Sequence, residues 1–249
     1  MKLLTHAQAK LDKSLAFGYK SVGLNLSPAN EADWSRTMCP WAGACADMCL
    51  SGAGQNSFDR ARNARISRTR WWLDGPETFV QALVNELRSA HKSATRKGLK
   101  LAVRLNVLSD QFILVRRVYE HDPELFRVAH FYDYTKMPPR AWSAVHTPNH
   151  YHRTYSYSER TTPQDLELCR KYKIHIATVM AVSPGHPLPQ THTLHGVTYK
   201  VIDGDQHDLR FLDPTTETHI VGLRFKARSN KFDKRVRGVR RGFVQLRAV

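Results

Sequence analysis

Hydrophobic residues recur with two different periods along this chain. Between 75 and 98, Phe79, Val80, Leu83 and Leu87 fall three or four positions apart, which predicts a helix with one buried face. Elsewhere, short apolar runs end in polar residues, as β-strands do. The predicted strands are 21–27, 100–108, 127–136, 150–159, 174–182, 197–205 and 219–227. The predicted helices are 58–73, 75–98, 111–122 and 162–172, with a further helix beginning at 138.

Strands that alternate with helices are typical of a parallel sheet built from βαβ units, so we expect an α/β fold. An open, doubly wound sheet is one arrangement. A partial or full βα-barrel fits better, because polar residues gather where successive strands end. We expect one barrel-like domain over residues 1–223, containing a cysteine-rich loop at 38–54, and a basic C-terminal segment over 224–249.

The loop after the first predicted strand holds three of the four cysteines, Cys39, Cys45 and Cys49, with the spacing C-x5-C-x3-C. Paired C-x2-C knuckles, the usual structural zinc motif, are absent from it. Three thiolates in one short loop of small residues favour an iron–sulfur cluster, and a 4Fe–4S cluster would keep one iron open. A zinc site completed by a distant histidine and three inert thiols are the alternatives. The fourth cysteine, Cys169, lies in a predicted helix and reads as a core residue.

Polar residues at the strand ends predict a ligand pocket. The carboxyl ends of parallel strands meet at one edge of a sheet, so these side chains should face the cysteine loop. We expect Asp110, Lys136 and Glu159 to contact a ligand directly, with Lys136 neutralising an anionic group. Cofactor-binding roles are expected for Asn106, Ser109, Tyr134, Ser156 and Ser158. Helix caps and surface ion pairs are the alternative interpretation of each residue taken singly.

Composition adds an expectation about partners. Hydrophobic residues make up 41% of the 249, enough for a packed core, and no apolar run is long enough to cross a membrane. The net charge is +16, and residues 224–249 hold ten Lys/Arg against one acid, Asp233. This excess favours contact with nucleic acid through phosphates, centred on Arg235, Arg237, Arg240 and Arg241. Solubility alone is the other explanation.

The cysteine loop resembles that of the radical SAM superfamily, in which a triad follows the first strand of a βα-barrel. The usual spacing there is C-x3-C-x2-C with an aromatic residue before the last cysteine. Here the spacing is wider, Met48 holds the aromatic position, and LNVLSDQ stands where that superfamily has a GGE-like motif. The resemblance implies a 4Fe–4S cluster and S-adenosylmethionine, with TYSYSE as a ribose-contacting segment.

The order of five motifs is similar to that of a bacteriophage family, the gene-product-88-like proteins. They are CPWAGACADMC, RLNVLSD, FYDYTK, TYSYSE and DGDQHDLRF, spread over most of residues 21–211. The resemblance implies a phage origin, hence the cytoplasm of a bacterial host, and leaves the activity open. The absence of a long apolar leader points to the same compartment, where thiols stay reduced.

Three functions are therefore expected, in this order. The first is a phage-encoded barrel protein that binds an iron–sulfur cluster and contacts nucleic acid. The second is a radical SAM-type enzyme with a small-molecule ligand in the barrel mouth. The third is a zinc- or metal-dependent hydrolase or nuclease that uses the carboxylates at the strand ends, namely Asp110, Asp133, Glu159, Asp203 or Asp205.

Overall fold

The secondary structure comes from a computed structural model, which describes residues 1–5, 13–52, 54–144, 148, 150–226, 239 and 242–245. The strands are β1 Leu4–Thr5, β2 Tyr19–Leu24, β3 Lys100–Arg104, β4 His130–Thr135, β5 Tyr151–Ser156, β6 Ile176–Met180, β7 Thr191–Leu194, β8 Val197–Asp203, β9 Ile220–Arg224 and β10 Val244–Gln245. The α-helices are α1 Asp59–Asp74, α2 Pro76–Thr95, α3 Phe112–His121, α4 Pro123–Val128 and α5 Pro163–Tyr172. The predicted α/β class is confirmed.

All ten strands belong to one sheet, in the order β1-β2-β3-β4-β5-β6-β9-β8-β7. The strands from β2 to β6 are parallel and consecutive, and β9 and β8 continue the parallel run. Only the outermost pairs, β1 with β2 and β7 with β8, are antiparallel among the described strands. The C-terminal β10 pairs with β6 at Val179 and Met180, beyond the point where β5 stops pairing with it.

The sheet is open in the part of the chain that the structure describes. Its outer strands, β1 and β7, lie at opposite ends of the strand order and do not pair with each other. A full barrel is therefore not confirmed. The consecutive order of the parallel strands is the order found in a βα-barrel, and it places the carboxyl ends of β2 to β6 along one edge.

Two hydrophobic clusters hold the helices against the sheet. The larger one joins α2, α3 and α4 to β2, β3 and β4, and Phe79, Leu83, Val103 and Phe131 lie within it. The second packs α5 against β5, β6 and β9 and contains Cys169, which is fully buried as predicted. Met38 anchors the start of the cysteine loop in the larger cluster, whereas the three loop cysteines lie outside both clusters, at the edge where the strands end.

Several boundaries differ from the sequence prediction for local reasons. The predicted strand from 127 begins at His130, because Pro123 starts α4 and Asp122 accepts a hydrogen bond from Leu125 N at 3.4 Å. The helix expected at 138 is a 3₁₀ turn over Pro139–Ala144. The missed strand β7 joins β8 through His195 and Gly196, whose positive φ values of 47° and 80° suit a two-residue hairpin turn.

No helix in the described residues combines the length and the apolar character needed to span a bilayer. The four arginines expected to contact nucleic acid, Arg235, Arg237, Arg240 and Arg241, lie outside the described residues. A short part of the same basic segment, residues 242–245, is described, and it contains β10, which pairs with β6.

Candidate functional site

The cysteine loop connects β2 to α1 at the carboxyl edge of the sheet. It winds through short 3₁₀ turns at Gly43–Cys45, Leu50–Gly52 and Gly54–Ser57. Its three cysteines are unpaired thiols and partly exposed. They are near enough that the charges of Cys45 and Cys49 act on the thiol of Cys39. The tight turns therefore bring the three cysteines close enough to interact electrostatically.

Backbone amides are aimed at two of the three sulfurs. Ala29 N donates to the sulfur of Cys39 at 3.3 Å, and Ser51 N donates to the sulfur of Cys49 at 3.5 Å. The thiol of Cys39 in turn lies 3.7 Å from the carbonyl oxygen of Leu108, just after β3. Amide donors stabilise electron-rich sulfur and are among the features that tune thiolate-bound clusters.

Burial favours the protonated form of Cys39 and Cys45. It raises the pKa of Cys39 to about 12, against the opposing hydrogen bond from Ala29. Burial also raises the pKa of Cys45, although the positive charge of Lys136 acts in the other direction. A metal centre binds the thiolate form, so loading this site would release protons.

Asp110 links the end of β3 to the cysteine loop and to β4. Its backbone amide donates to the carbonyl of Met38 at 2.9 Å, next to Cys39. Its Oδ2 accepts a hydrogen bond from the amide of Lys136 at 2.8 Å. Burial raises the pKa of Asp110, and the hydrogen bond from Lys136 partly offsets that shift. The carboxylate therefore fastens two strand ends together beside the triad.

The ammonium group of Lys136 has no carboxylate within ion-pair distance among the described residues. Its Nζ lies 3.5 Å from the carbonyl oxygen of Tyr157 and 4.8 Å from the ring centroid of Phe243. Its charge acts on both Cys45 and Asp110. A carbonyl oxygen and an aromatic face therefore hold this half-buried lysine beside the cysteine loop.

Glu159 holds the loop from the β5 side. Its Oε1 accepts a hydrogen bond from Ala44 N at 2.8 Å. The neighbouring Gly43 has φ +52°, and a Cβ there would lie 2.0 Å from the same oxygen. Only glycine fits this position, because the backbone is left-handed and the carboxylate occupies the space of a side chain.

A buried arginine interacts electrostatically with the third cysteine. Arg65, in α1, is 2% exposed; its Nη1 donates to the Asn56 carbonyl at 2.9 Å, and its Nε has no hydrogen-bond partner among the described residues. Burial lowers the pKa of Arg65, and the negative charges of Glu31 and Cys49 oppose that shift. Two cations therefore interact with the loop cysteines, Lys136 with Cys45 and Arg65 with Cys49.

The chain's C-terminal part covers the loop. Phe243 and Val244 pack with Ala44, Met48 and Phe225 in a small hydrophobic cluster. The packing explains why the loop carries alanines and a methionine between its cysteines. It also shows that the described part of the basic segment, residues 242–245, packs against the cysteine loop.

The predicted cofactor-binding residues take different places. Asn106 and Ser109 bond to each other at 2.9 Å, and the oxygen of Asn106 also accepts from Gln111 N, so both shape the turn after β3. Ser158 accepts a hydrogen bond from Arg160 N at 3.3 Å and is buried in a turn. Ser156 pairs with Ala177 at the end of β5, and its side chain is half-buried.

Tyr134 belongs to a separate polar network. Its hydroxyl donates to Oδ1 of Asp208 at 3.3 Å, and the guanidinium of Arg104 lies 4.7 Å from its ring centroid. Arg104 pairs with Asp208 at 2.7 Å. Sequence analysis did not single out Arg104, although a cation inside the apolar stretch KLAVRLNV indicates a buried partner.

The strand-end carboxylates do not converge on a metal. Asp133 accepts hydrogen bonds from Asn106 N and from the hydroxyl of Tyr151, and Asp203 and Asp205 pair with Arg224. Across the described residues, no three His, Cys, Asp or Glu side chains are placed to hold one metal ion. A zinc ion needs ligands about 2.0 to 2.3 Å away, so this arrangement does not favour the hydrolase interpretation.

A family comparison agrees with the motif order seen in the sequence. Residues 2–243 match the family model described as gene product 88. The chain belongs to the gene product 88 family. The phage family expected from the motifs is thereby confirmed, and the match extends over both the cysteine loop and the sheet. No curated protein and no solved structure matches the chain.

Proposed function

We propose that this gene product 88 protein binds an iron–sulfur cluster through Cys39, Cys45 and Cys49. The observation that carries the proposal is the surroundings of the three sulfurs. Two receive backbone amide hydrogen bonds, and the charges of Lys136 and Arg65 interact with Cys45 and Cys49. These contacts favour the thiolate form, which metal ligation requires, and oppose the burial that raises the pKa of Cys39 and Cys45.

The three cysteines fit a cluster, which contains several irons, better than they fit a single metal ion. In a cluster each cysteine binds a different iron, so the three sulfurs need not converge on one point. The residues present thus fit a thiolate-bound cluster better than a zinc ion.

Three cysteines supply one ligand fewer than a four-iron cluster has irons, so one iron would keep a free position. The charges of Lys136 and Asp110 both act on Cys45. Lys136 suits an anionic ligand, and Asp110 suits a hydrogen-bond donor. The radical SAM-type enzyme remains the second candidate, favoured by the position of the loop after the first parallel strand.

Anaerobic reconstitution tests the proposal. Protein loaded with iron and sulfide should turn brown with broad visible absorbance, whereas a zinc protein stays colourless. Calorimetry of the loaded protein with S-adenosylmethionine then separates the two candidates. A radical SAM-type enzyme should release or absorb heat on binding this molecule, whereas a protein that binds only the cluster should give no heat of association. A colourless protein that retains zinc through purification would overturn the proposal.

Nucleic-acid contact is a further part of the proposal, supported by the net charge of +16. It does not depend on the cluster. The described residues offer a second basic surface for it, distinct from the C-terminal segment.

A further inference from the structure

The stretch from Arg88 to Arg104 contains six Lys/Arg and no Asp or Glu. It forms the last two turns of α2, the turn at Gly98 and the strand β3. Arg88, Lys92 and Arg96 follow one another at intervals of four, which places them along one side of the helix. The charge is therefore concentrated on a defined surface.

Two neighbouring strands, β2 and β3, contribute further lysines to this surface. Lys20 and Lys100 stand at the amino ends of β2 and β3, which pair in parallel with Tyr19 opposite Lys100. Lys20 Nζ donates to the Ser93 hydroxyl of α2 at 3.0 Å. Burial lowers the pKa of Lys20, and the charges of Lys97, Arg96 and Lys2 lower it further.

This basic surface, made of Lys20, Lys92, Arg96, Lys97 and Lys100, lies at the amino edge of the sheet. The cysteine loop lies at the opposite, carboxyl edge. Lys92 and Arg96 also line a shallow cleft of about 540 Å³ with Ser89, His91 and Thr95. The two regions therefore offer separate binding faces.

The positive charge of the surface is not neutralised within the described residues. Arg88 pairs with Asp122 at 2.7 Å, but no described carboxylate lies within ion-pair distance of Lys92, Arg96 or Lys97. All three are exposed. Like charges four residues apart repel each other along a helix, and an external polyanion would relieve that repulsion.

We propose that the basic surface binds the phosphate backbone of nucleic acid. A row of lysine and arginine side chains without neighbouring acids is the footprint of phosphate contact. An anionic membrane fits less well, since membrane-binding faces carry exposed apolar side chains beside the cations. None of the exposed large hydrophobic residues falls between 88 and 100. The inference rests on the proposed nucleic-acid contact and not on the cluster.

The test compares two double variants with the same loss of charge. Lys92→Gln with Arg96→Gln removes two cations of the basic surface. Arg170→Gln with Lys171→Gln removes two exposed cations from the last turn of α5, which packs beside β5 and β6. Binding of labelled single-stranded and double-stranded DNA and RNA is measured by fluorescence anisotropy over a salt series, with anionic vesicles as a separate arm.

The first double variant should bind more weakly, and its plot of log affinity against log salt should flatten by about 1.5 units, since each phosphate contact contributes about 0.7 to 0.9. The α5 variant should keep the slope of the unchanged chain. Equal slopes for all three proteins would show that the basic surface does not bind nucleic acid. The proposal that another part of the chain contacts nucleic acid would then still stand. Failure of the unchanged chain to bind any nucleic acid, or binding to vesicles alone, would overturn both.

Discussion

The Oε1 atom of Glu159 accepts a hydrogen bond from Ala44 N at 2.8 Å, although 115 residues separate the two in sequence. This contact joins the turn after β5 to the middle of the cysteine loop. With the link from Asp110 N to the carbonyl of Met38 at 2.9 Å, it holds both ends of the C-x5-C segment against the sheet. The geometry of the triad therefore depends on residues from three strand ends.

Removing the carboxylate should loosen the loop. Glu159→Ala loses the acceptor for Ala44 N, which is expected to cost about 1 to 2 kcal/mol of unfolding free energy and to speed the labelling of Cys45 by a thiol reagent. Glu159→Gln keeps an acceptor oxygen and serves as the control. Labelling is followed residue by residue by mass spectrometry. Equal rates in the two variants would show that the contact does not hold the loop.

Substitution of Gly43 by alanine should lower the stability of the protein more than the same substitution at Gly54 does. Gly43→Ala places a methyl group on the carboxylate of Glu159, whereas Gly54→Ala, at φ +57°, has nothing within 4 Å of the added carbon. Both changes carry the left-handed backbone cost of about 1 to 2 kcal/mol, so their difference isolates the clash. We expect a lower melting temperature for Gly43→Ala. Melting temperatures that match would contradict the placement of Glu159.

The C-terminal cover should protect the triad. Phe243 is 7% exposed and packs on Ala44 and Met48, so Phe243→Ala should cost about 3 kcal/mol in urea unfolding. Cys45 should also react faster with a thiol reagent, while buried Cys169 stays protected and acts as an internal standard. Phe17→Ala, at a ring that is 46% exposed, is the control. Unchanged reactivity of Cys45 would mean that the segment does not cover the loop.

Asp133 should make stability depend on pH. Burial raises the pKa of Asp133 to about 7, and hydrogen bonds from Asn106 and Tyr151 offset only part of that shift. The folded-state pKa is above the unfolded one, so the contribution to stability is present below about pH 4 and is lost as the pH rises through 7. Each pH unit in this window removes about 1.4 kcal/mol, an upper bound given the neighbouring Arg104.

Asp133→Asn removes this titration. The unfolding free energy of the unchanged chain minus that of the variant should therefore fall between pH 4 and pH 8 by on the order of a few kcal/mol. A flat difference for Asp133→Asn would show that its carboxyl ionises normally in the folded protein.

The sequence was informative wherever local pattern decides structure. The apolar period of α2 and the Thr162 cap with Pro163 at the start of α5 predicted those helices to within a few residues. The position of the cysteine loop followed from the strand before it. The fold class followed from the alternation of strands and helices, because parallel strands require crossovers.

The features that the sequence did not predict depend on distant partners. Arg104 meets Asp208 across 104 residues, and no local period signals such a pair. Whether the sheet closes into a barrel depends on whether its two outer strands pair with each other. The hydrophobic periodicity of the sequence does not predict that pairing. The return of Val244 to β6 also escaped prediction, because its short strand follows a strongly basic stretch that suggested a tail.

The central claim is that the three loop cysteines bind one iron–sulfur cluster. Its most direct test is iron and acid-labile sulfide content per chain after anaerobic reconstitution, for the unchanged chain and for four Cys→Ala variants. We expect Cys39→Ala, Cys45→Ala and Cys49→Ala each to lose most of the iron and sulfide, and Cys169→Ala to keep both. Full iron and sulfide content in Cys39→Ala would contradict the account.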